Sequence, residues 1–159
     1  MTKFKLSPSK AHRYLQCTAS LLHDTEFVET EWTIRGTNLH TLAEMIIKNQ
    51  DGIKEFVSQK DFNEYELSNV KRYTEEVFRE FETINATKIY VEKRESITMY
   101  DNKINMVLDT LIVSDTIASV IDLKTGNNDI SPVDNEQLYY YGFSVLMRFP
   151  KIKKLRLAI

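Results

Sequence analysis

The spacing of apolar residues changes once along the chain, and that change constrains the fold more than any other feature. Up to about residue 84, apolar side chains recur every three or four positions: Leu39, Leu42, Ala43, Ile46 and Ile47, then Leu67, Val70, Thr74, Val77, Phe81 and Ile84. From Lys88 to Lys124 the spacing falls to two, and β-branched residues become frequent. A period near 3.6 marks one face of a helix and a period of two marks one face of a strand. A helical first half must therefore cover a sheet supplied by the second.

Within that frame the punctuation predicts individual elements. Ser7 before Pro8 opens a helix running to about Cys17, because serine caps free N–H groups and proline at the first position gives up a donor that has no partner there. A second helix spans Gly36 to Gln50 and stops at the turn signal Asp51-Gly52. A third runs from about Glu66 to Ile84, with Lys71, Glu75, Arg79 and Glu82 on its solvated side. Strands follow at Lys88–Ile97, Ile104–Val113 and Ile117–Lys124, divided by Tyr100-Asp101-Asn102 and Ser114-Asp115-Thr116, which predicts an antiparallel meander. A helix over Asn135–Met147 buries Leu138, Gly142 and Val145, and a last strand occupies Lys151–Ile159. The order αααβββαβ describes a mixed α/β (α+β) fold. With 4 glycines and 3 prolines there is no linker-like stretch, so one domain is expected over 1–159, a helical part at 1–86 and sheet and helix at 87–159.

Charge and cysteine count remove several classes of function. Lys and Arg number 21 and Asp and Glu 23, a net charge of −2 that excludes coating of nucleic acid by bulk electrostatics and leaves room for a local site. The single cysteine, Cys17, can form neither an intrachain disulfide nor a four-cysteine metal site. No signal-peptide pattern opens the chain, and no run approaches the roughly 18 apolar residues of a membrane span, so a cytoplasmic protein is expected.

The second and third strands carry the chemistry. Alternation places Val107, Asp109, Leu111 and Val113 on one face, and Ala118, Val120, Asp122 and Lys124 on one face. A tight connection at Asp115-Thr116 sets Val113 opposite Ala118, Leu111 opposite Val120 and Asp109 opposite Asp122. Opposed Cβ atoms stand about 5 Å apart, and two carboxylates there require a cation or a shared proton. Mg²⁺ or Mn²⁺ suits the oxygen donors, and Lys124 would orient a water or meet charge on a phosphate. The plainer alternative is an Asp122–Lys124 salt bridge at a strand end, with Asp109 a tolerated edge residue. His40 lies near the start of the second helix with Glu44 one turn on, and Glu92 lies on the first strand; Glu44 and Glu92 rank as lesser candidates. On the last helix Gln137, Tyr141, Ser144 and Arg148 form a polar stripe that a nucleic-acid strand could stack against; alternatively Tyr141 packs in the core and Gln137 is solvated.

Taken together, Gly36-Thr37-Asn38-Leu39-His40, Asp109, Asp122-Leu123-Lys124-Thr125-Gly126 and Gln137-Leu138-Tyr139-Tyr140-Tyr141 resemble the RecB-type branch of the PD-(D/E)XK nuclease superfamily in order and approximate spacing. Leu6-Ser7-Pro8-Ser9, the helix ending at Cys17, and Asn135-Glu136-Gln137-Leu138 resemble a phage- and prophage-borne RecB-like family within it. The resemblance spans nearly the whole chain. It implies a restriction-endonuclease-like core with a mixed sheet of about four strands. It also implies Mg²⁺ or Mn²⁺ held by His40, Asp109, Asp122 and the backbone carbonyl of Leu123, with Lys124 as the catalytic lysine beside Asp109 and Asp122. Gln137 and Tyr141 would contact DNA through a Q-x-x-x-Y motif. The implied activity is metal-dependent cleavage of DNA, usually from an end, in phage or bacterial recombination, repair or DNA processing, in the cytoplasm of a bacterium or phage-infected host.

Two positions depart from that pattern. Asn105, Met106, Val107 and Leu108 stand where small residues usually precede the first aspartate. Cys17 resembles the first cysteine of an iron–sulphur cluster in some relatives, whose other cysteines lie beyond the final strand, so no such cluster can form within this chain. A C-terminal extension beyond Ile159 would be needed for one. Two other classes of function stand beside the nuclease. One is a nuclease-fold module with little or no activity that binds DNA or a protein, for which Lys151, Lys153, Lys154 and Arg156 would serve. The other is an assembly subunit, an oligomer or protein partner, whose tyrosines mark an interface.

Overall fold

The computed structural model describes residues 6–23, 28–99, 101–126 and 130–159. A short 3₁₀ turn at Pro8–Lys10 runs into α1 (Ala11–Gln16), and a second at Thr18–His23 follows. Then come α2 (Glu31–Ile47), α3 (Ile53–Lys60), α4 (Glu64–Thr83), β1 (Lys88–Met99), β2 (Asn102–Val113), β3 (Ile117–Ile121), α5 (Glu136–Arg148) and β4 (Lys154–Ala158). The sheet order is β1-β2-β3-β4. The first three strands form the expected antiparallel meander, and β4 lies parallel to β3. This mixed α/β arrangement is consistent with a restriction-endonuclease-like α+β core. No helix among the described residues is long and apolar enough to cross a membrane.

The sheet separates two apolar clusters. Leu39, Leu42, Ala43, Val70, Tyr73 and Val77 of α2 and α4 pack with Ile112 and Ile121 on one face. Leu138, Tyr141 and Val145 of α5 pack with Leu111, Val113, Ala118 and Val120 on the other. Each large side chain fully withdrawn from water contributes about 1.5–3 kcal/mol. The edge between the layers is closed by a partly buried ion pair, Arg156 Nη1 lying 2.9 Å from both carboxylate oxygens of Glu80. Arg156 is thus engaged with α4 rather than displayed with the neighbouring lysines. At the centre of α5, Gly142 passes β4 so closely that a Cβ would stand 2.7 Å from Leu155 Cδ2.

Several boundaries move. Ser7 occupies the cap position but makes no capping hydrogen bond; Pro8 at the first position and the Lys10 N–H to Ser7 oxygen bond fix the turn instead. The second helix begins at Glu31, five residues before Gly36, because Thr30 and Thr33 form a reciprocal capping box. The third helix is likewise boxed by Asn63 and Glu66. Helix α3 fills a stretch for which no element was predicted. The third strand ends at Ile121, not Lys124, which places Asp122 and Lys124 just beyond the sheet. Of the predicted turn at Tyr100-Asp101-Asn102, Tyr100 lies outside the described residues, and Asp101 takes a left-handed φ of 62°.

Candidate metal centre

The predicted register holds where the ladder exists: Val113 pairs with Ala118 and Leu111 with Val120, and the ladder stops at Thr110 opposite Ile121. Asp109 and Asp122 are the next residues on each side. Upstream, β2 departs from simple alternation. Leu111 and Val113 enter the α5 cluster, and so do Ile104, Met106 and Leu108, whereas Val107 is exposed. The side-chain parity therefore flips at Asp109. On the neighbouring strand Val91 pairs with Thr110 and Lys93 with Leu108, while Glu92, which faces Asp109, has a φ of 51° and stays out of the ladder. A non-glycine residue at positive φ costs energy and is held by its surroundings. Val107 thus does not share a face with Asp109, as strict alternation would require.

The kink brings together side chains able to ligate a metal. His40 Nδ1 lies 3.4 Å from Glu92 Oε1 and 3.5 Å from Asp109 Oδ1. One donor atom from each of His40, Glu92 and Asp109 falls within 4.8 Å of the other two. Asp109 Oδ2 accepts the N–H of Leu123 at 2.6 Å, which ties β2 to the segment leaving β3. Burial works against a charged His40, yet the hydrogen bonds and charges of Asp109 and Glu92 outweigh it and push the imidazole up to about 10. A protonated histidine here does what a cation would do between the two carboxylates.

Asp122 is turned toward α5. Only 3% exposed, it accepts from Gln137 Nε2 at 3.1 Å through Oδ1, and its Oδ2 lies 2.8 Å from Lys124 Nζ. Oδ2 is buried and is met by the Lys124 ammonium alone. Burial first, and then the charge of Asp109, push Asp122 up to about 6, against the lowering influence of Lys124 and His40. Lys124 also donates to Gln137 Oε1 at 2.9 Å, and Gln137 Nε2 reaches the Tyr141 hydroxyl at 2.6 Å. Tyr141 keeps its ring in the core, Ser144 is buried with its hydroxyl on the Tyr141 carbonyl, and Arg148 is exposed. The polar stripe read on this helix is therefore a chain from Tyr141 through Gln137 to Asp122 and Lys124.

The two motifs that start and end this site touch. Gly36 lies inside α2 where a Cβ would stand 3.1 Å from Thr125 Oγ1, so glycine lets the His40 helix pass the segment carrying Lys124. Glu44 turns away to ion-pair with Lys48. The family described as "Protein of unknown function (DUF2800)" matches residues 4–159. The chain belongs to this DUF2800 family.

In this DUF2800 chain the carboxylates outnumber the cations around one point: Glu92, Asp109 and Asp122 against His40 and Lys124. An imidazole nitrogen with carboxylate oxygens is a donor set that Mn²⁺ accepts and that Mg²⁺ accepts through its oxygens. The grouping of His40, Glu92 and Asp109, one ligand atom of each within 4.8 Å of the others, is the observation that fits a cation best, since two carboxylates held together call for positive charge between them. Leu123 meets the site through its N–H. Glu92 joins the cluster although its sequence context carried little signal; the positive φ that turns it inward has no glycine or asparagine to announce it.

Proposed function

We propose that the chain is a Mg²⁺- or Mn²⁺-dependent nuclease that hydrolyses phosphodiester bonds of DNA. The observation that carries the reading is the junction of β2 and β3, where His40, Glu92 and Asp109 offer ligand atoms within 4.8 Å of one another and the Asp122–Lys124 ion pair follows directly after β3. His40, Glu92, Asp109 and Asp122 are the residues that would hold the metal. When bound, such a metal supplies an acidified water and offsets charge on the phosphate. Lys124 donates to Gln137 and is ion-paired with Asp122, which leaves donor capacity for a phosphate oxygen. Gln137 holds both members of that pair, so it fixes where the ammonium stands. The Leu123 N–H keeps Asp109 in one orientation.

The test is digestion of end-labelled single-stranded and double-stranded DNA with Mg²⁺, Mn²⁺ or EDTA. Asp109→Asn keeps an acceptor for the Leu123 N–H while removing the charge, and Lys124→Met removes the ammonium. Cleavage is expected to need the metal and to fall by at least about a hundredfold in each variant, the scale of losing one preorganised charge or donor. A folded wild type that cuts neither substrate with either metal would replace this reading with a module that binds DNA or protein without cutting it.

A further inference from the structure

Beside Lys124 a cavity of about 480 Å³ opens between α4 and the ends of β3 and β4. Its size lies within the range of small-molecule sites, about 300–1,000 Å³. One wall is a single face of α4, since Tyr65, Asn69 and Arg72 follow at spacings of four and three. Asp122 and Lys124 form the inner end, and Ile130 adds an apolar side. Tyr73 closes the floor, its hydroxyl held by Thr110 Oγ1 at 2.7 Å.

The contents of that wall are unusual for a solvated helix face. Tyr65 is 60% exposed, an aromatic ring standing in water at the rim. The Arg72 guanidinium makes a long 3.5 Å bond to Asn69 Oδ1 and, among the described residues, pairs with no carboxylate. Glu76, one turn further on, is taken by Arg79. A ring face, an amide and a planar guanidinium without a carboxylate partner match the three parts of a nucleotide. The ring stacks a base, the amide hydrogen-bonds its edge, and the guanidinium forks onto a phosphate.

We propose that this cavity holds one unpaired nucleotide of the substrate strand, its base against Tyr65 and its phosphate on Arg72, next to the phosphate presented at Lys124. The proposal rests on the nuclease reading and adds a preference to it. A base can enter the cavity only when unstacked from its neighbours, so the chain favours single-stranded ends over blunt duplex.

Fluorescence anisotropy of a labelled oligothymidylate, of the matching blunt duplex and of an abasic oligomer, each in EDTA and in Ca²⁺, tests the subsite apart from turnover. Tyr65→Ala is expected to weaken oligothymidylate binding about tenfold or more, and Tyr65→Phe to restore it. Arg72→Ala should weaken the oligothymidylate and the abasic oligomer alike, and circular dichroism checks that each variant is folded. Cleavage by wild type with oligothymidylate affinity unchanged in Tyr65→Ala and Arg72→Ala overturns the subsite and leaves the nuclease reading standing. Binding lost in Tyr65→Ala by a wild type that never cleaves supports the subsite and removes the nuclease. A wild type that neither binds nor cuts overturns both.

Discussion

Carboxylates are buried at two places in this molecule, and the two are satisfied differently. At the edge of the sheet, Glu80 receives both its oxygens' partners from one Arg156 nitrogen at 2.9 Å. At the β2–β3 junction Glu92 and Asp109 share one imidazole, His40, while Asp122 has the Lys124 ammonium on its Oδ2. A buried charge with its partner in place is a structural joint; removing either member strands the other. A cluster with surplus negative charge gives up stability to hold a site ready for something else. One protein thus places a closed ion pair and an open one on the same sheet.

Titrating Mn²⁺ into the protein should produce the largest effect that separates the two. At a hundred times its dissociation constant a ligand stabilises by about 2.7 kcal/mol. Calorimetry is expected to show that rise in wild type and in Arg156→Ala, and none in Asp109→Asn. An equal rise in Asp109→Asn would place the metal elsewhere. Next in size, Arg156→Ala should cost about 2 kcal/mol in urea unfolding. That is below the roughly 3–5 kcal/mol of a fully buried pair, because the guanidinium is partly exposed. A loss under about 0.5 kcal/mol would make the edge pair ornamental.

The pH dependence sharpens the contrast further. His40 is held above its unfolded value of 6.5, at about 10. Its stabilising contribution is therefore complete below pH 6.5 and is lost as the pH rises toward 10. Asp122 is raised from 3.8 to about 6, so the folded state binds the extra proton between those values and stability falls there too as pH rises. Metal-free wild type should accordingly melt lower at pH 9 than at pH 7, and His40→Gln should flatten that slope. Metal uptake must displace the His40 proton, so affinity should climb over the same interval. The smallest expected change is Asp122→Asn in EDTA, a gain of up to about 1 kcal/mol from relieving repulsion and burial. A loss instead would mean that the Lys124 pair outweighs the crowding.

Much of this was legible in the residues, and the exceptions have physical causes. The switch in apolar period gave the helical half, the meander and the last helix and strand, because burial on one face leaves a regular trace. The pairing of Leu111 with Val120 followed from the short turn at Asp115-Thr116. Helix α3 escaped because eight residues with Ile53, Phe56 and Val57 half-buried make too short a pattern after Asp51-Gly52. The early start of α2 lay in a threonine pair rather than in apolar spacing. The candidate ligands His40, Asp109 and Asp122 and the candidate catalytic Lys124 lie on neighbouring segments, whereas Glu92 ranked only as a lesser candidate, since a glutamate at positive φ is set by tertiary contacts. That same contact reversed the facing of Val107, which no alternating pattern could anticipate.

The flip of parity at Glu92 and Asp109 divides the β1–β2 hairpin into two blocks that are read in opposite phase. Side chains on the α5 side carry odd numbers in the inner block of β2 and even ones in the outer block. Lengthening the hairpin at its tip, in matched pairs, would leave both phases and the ligand cluster where they are. A single residue inserted between the tip and the kink would throw Ile104 and Met106 into water while sparing Leu111 and Val113. The tip of the hairpin can therefore change in length, in matched pairs, without altering the phase at Glu92 and Asp109.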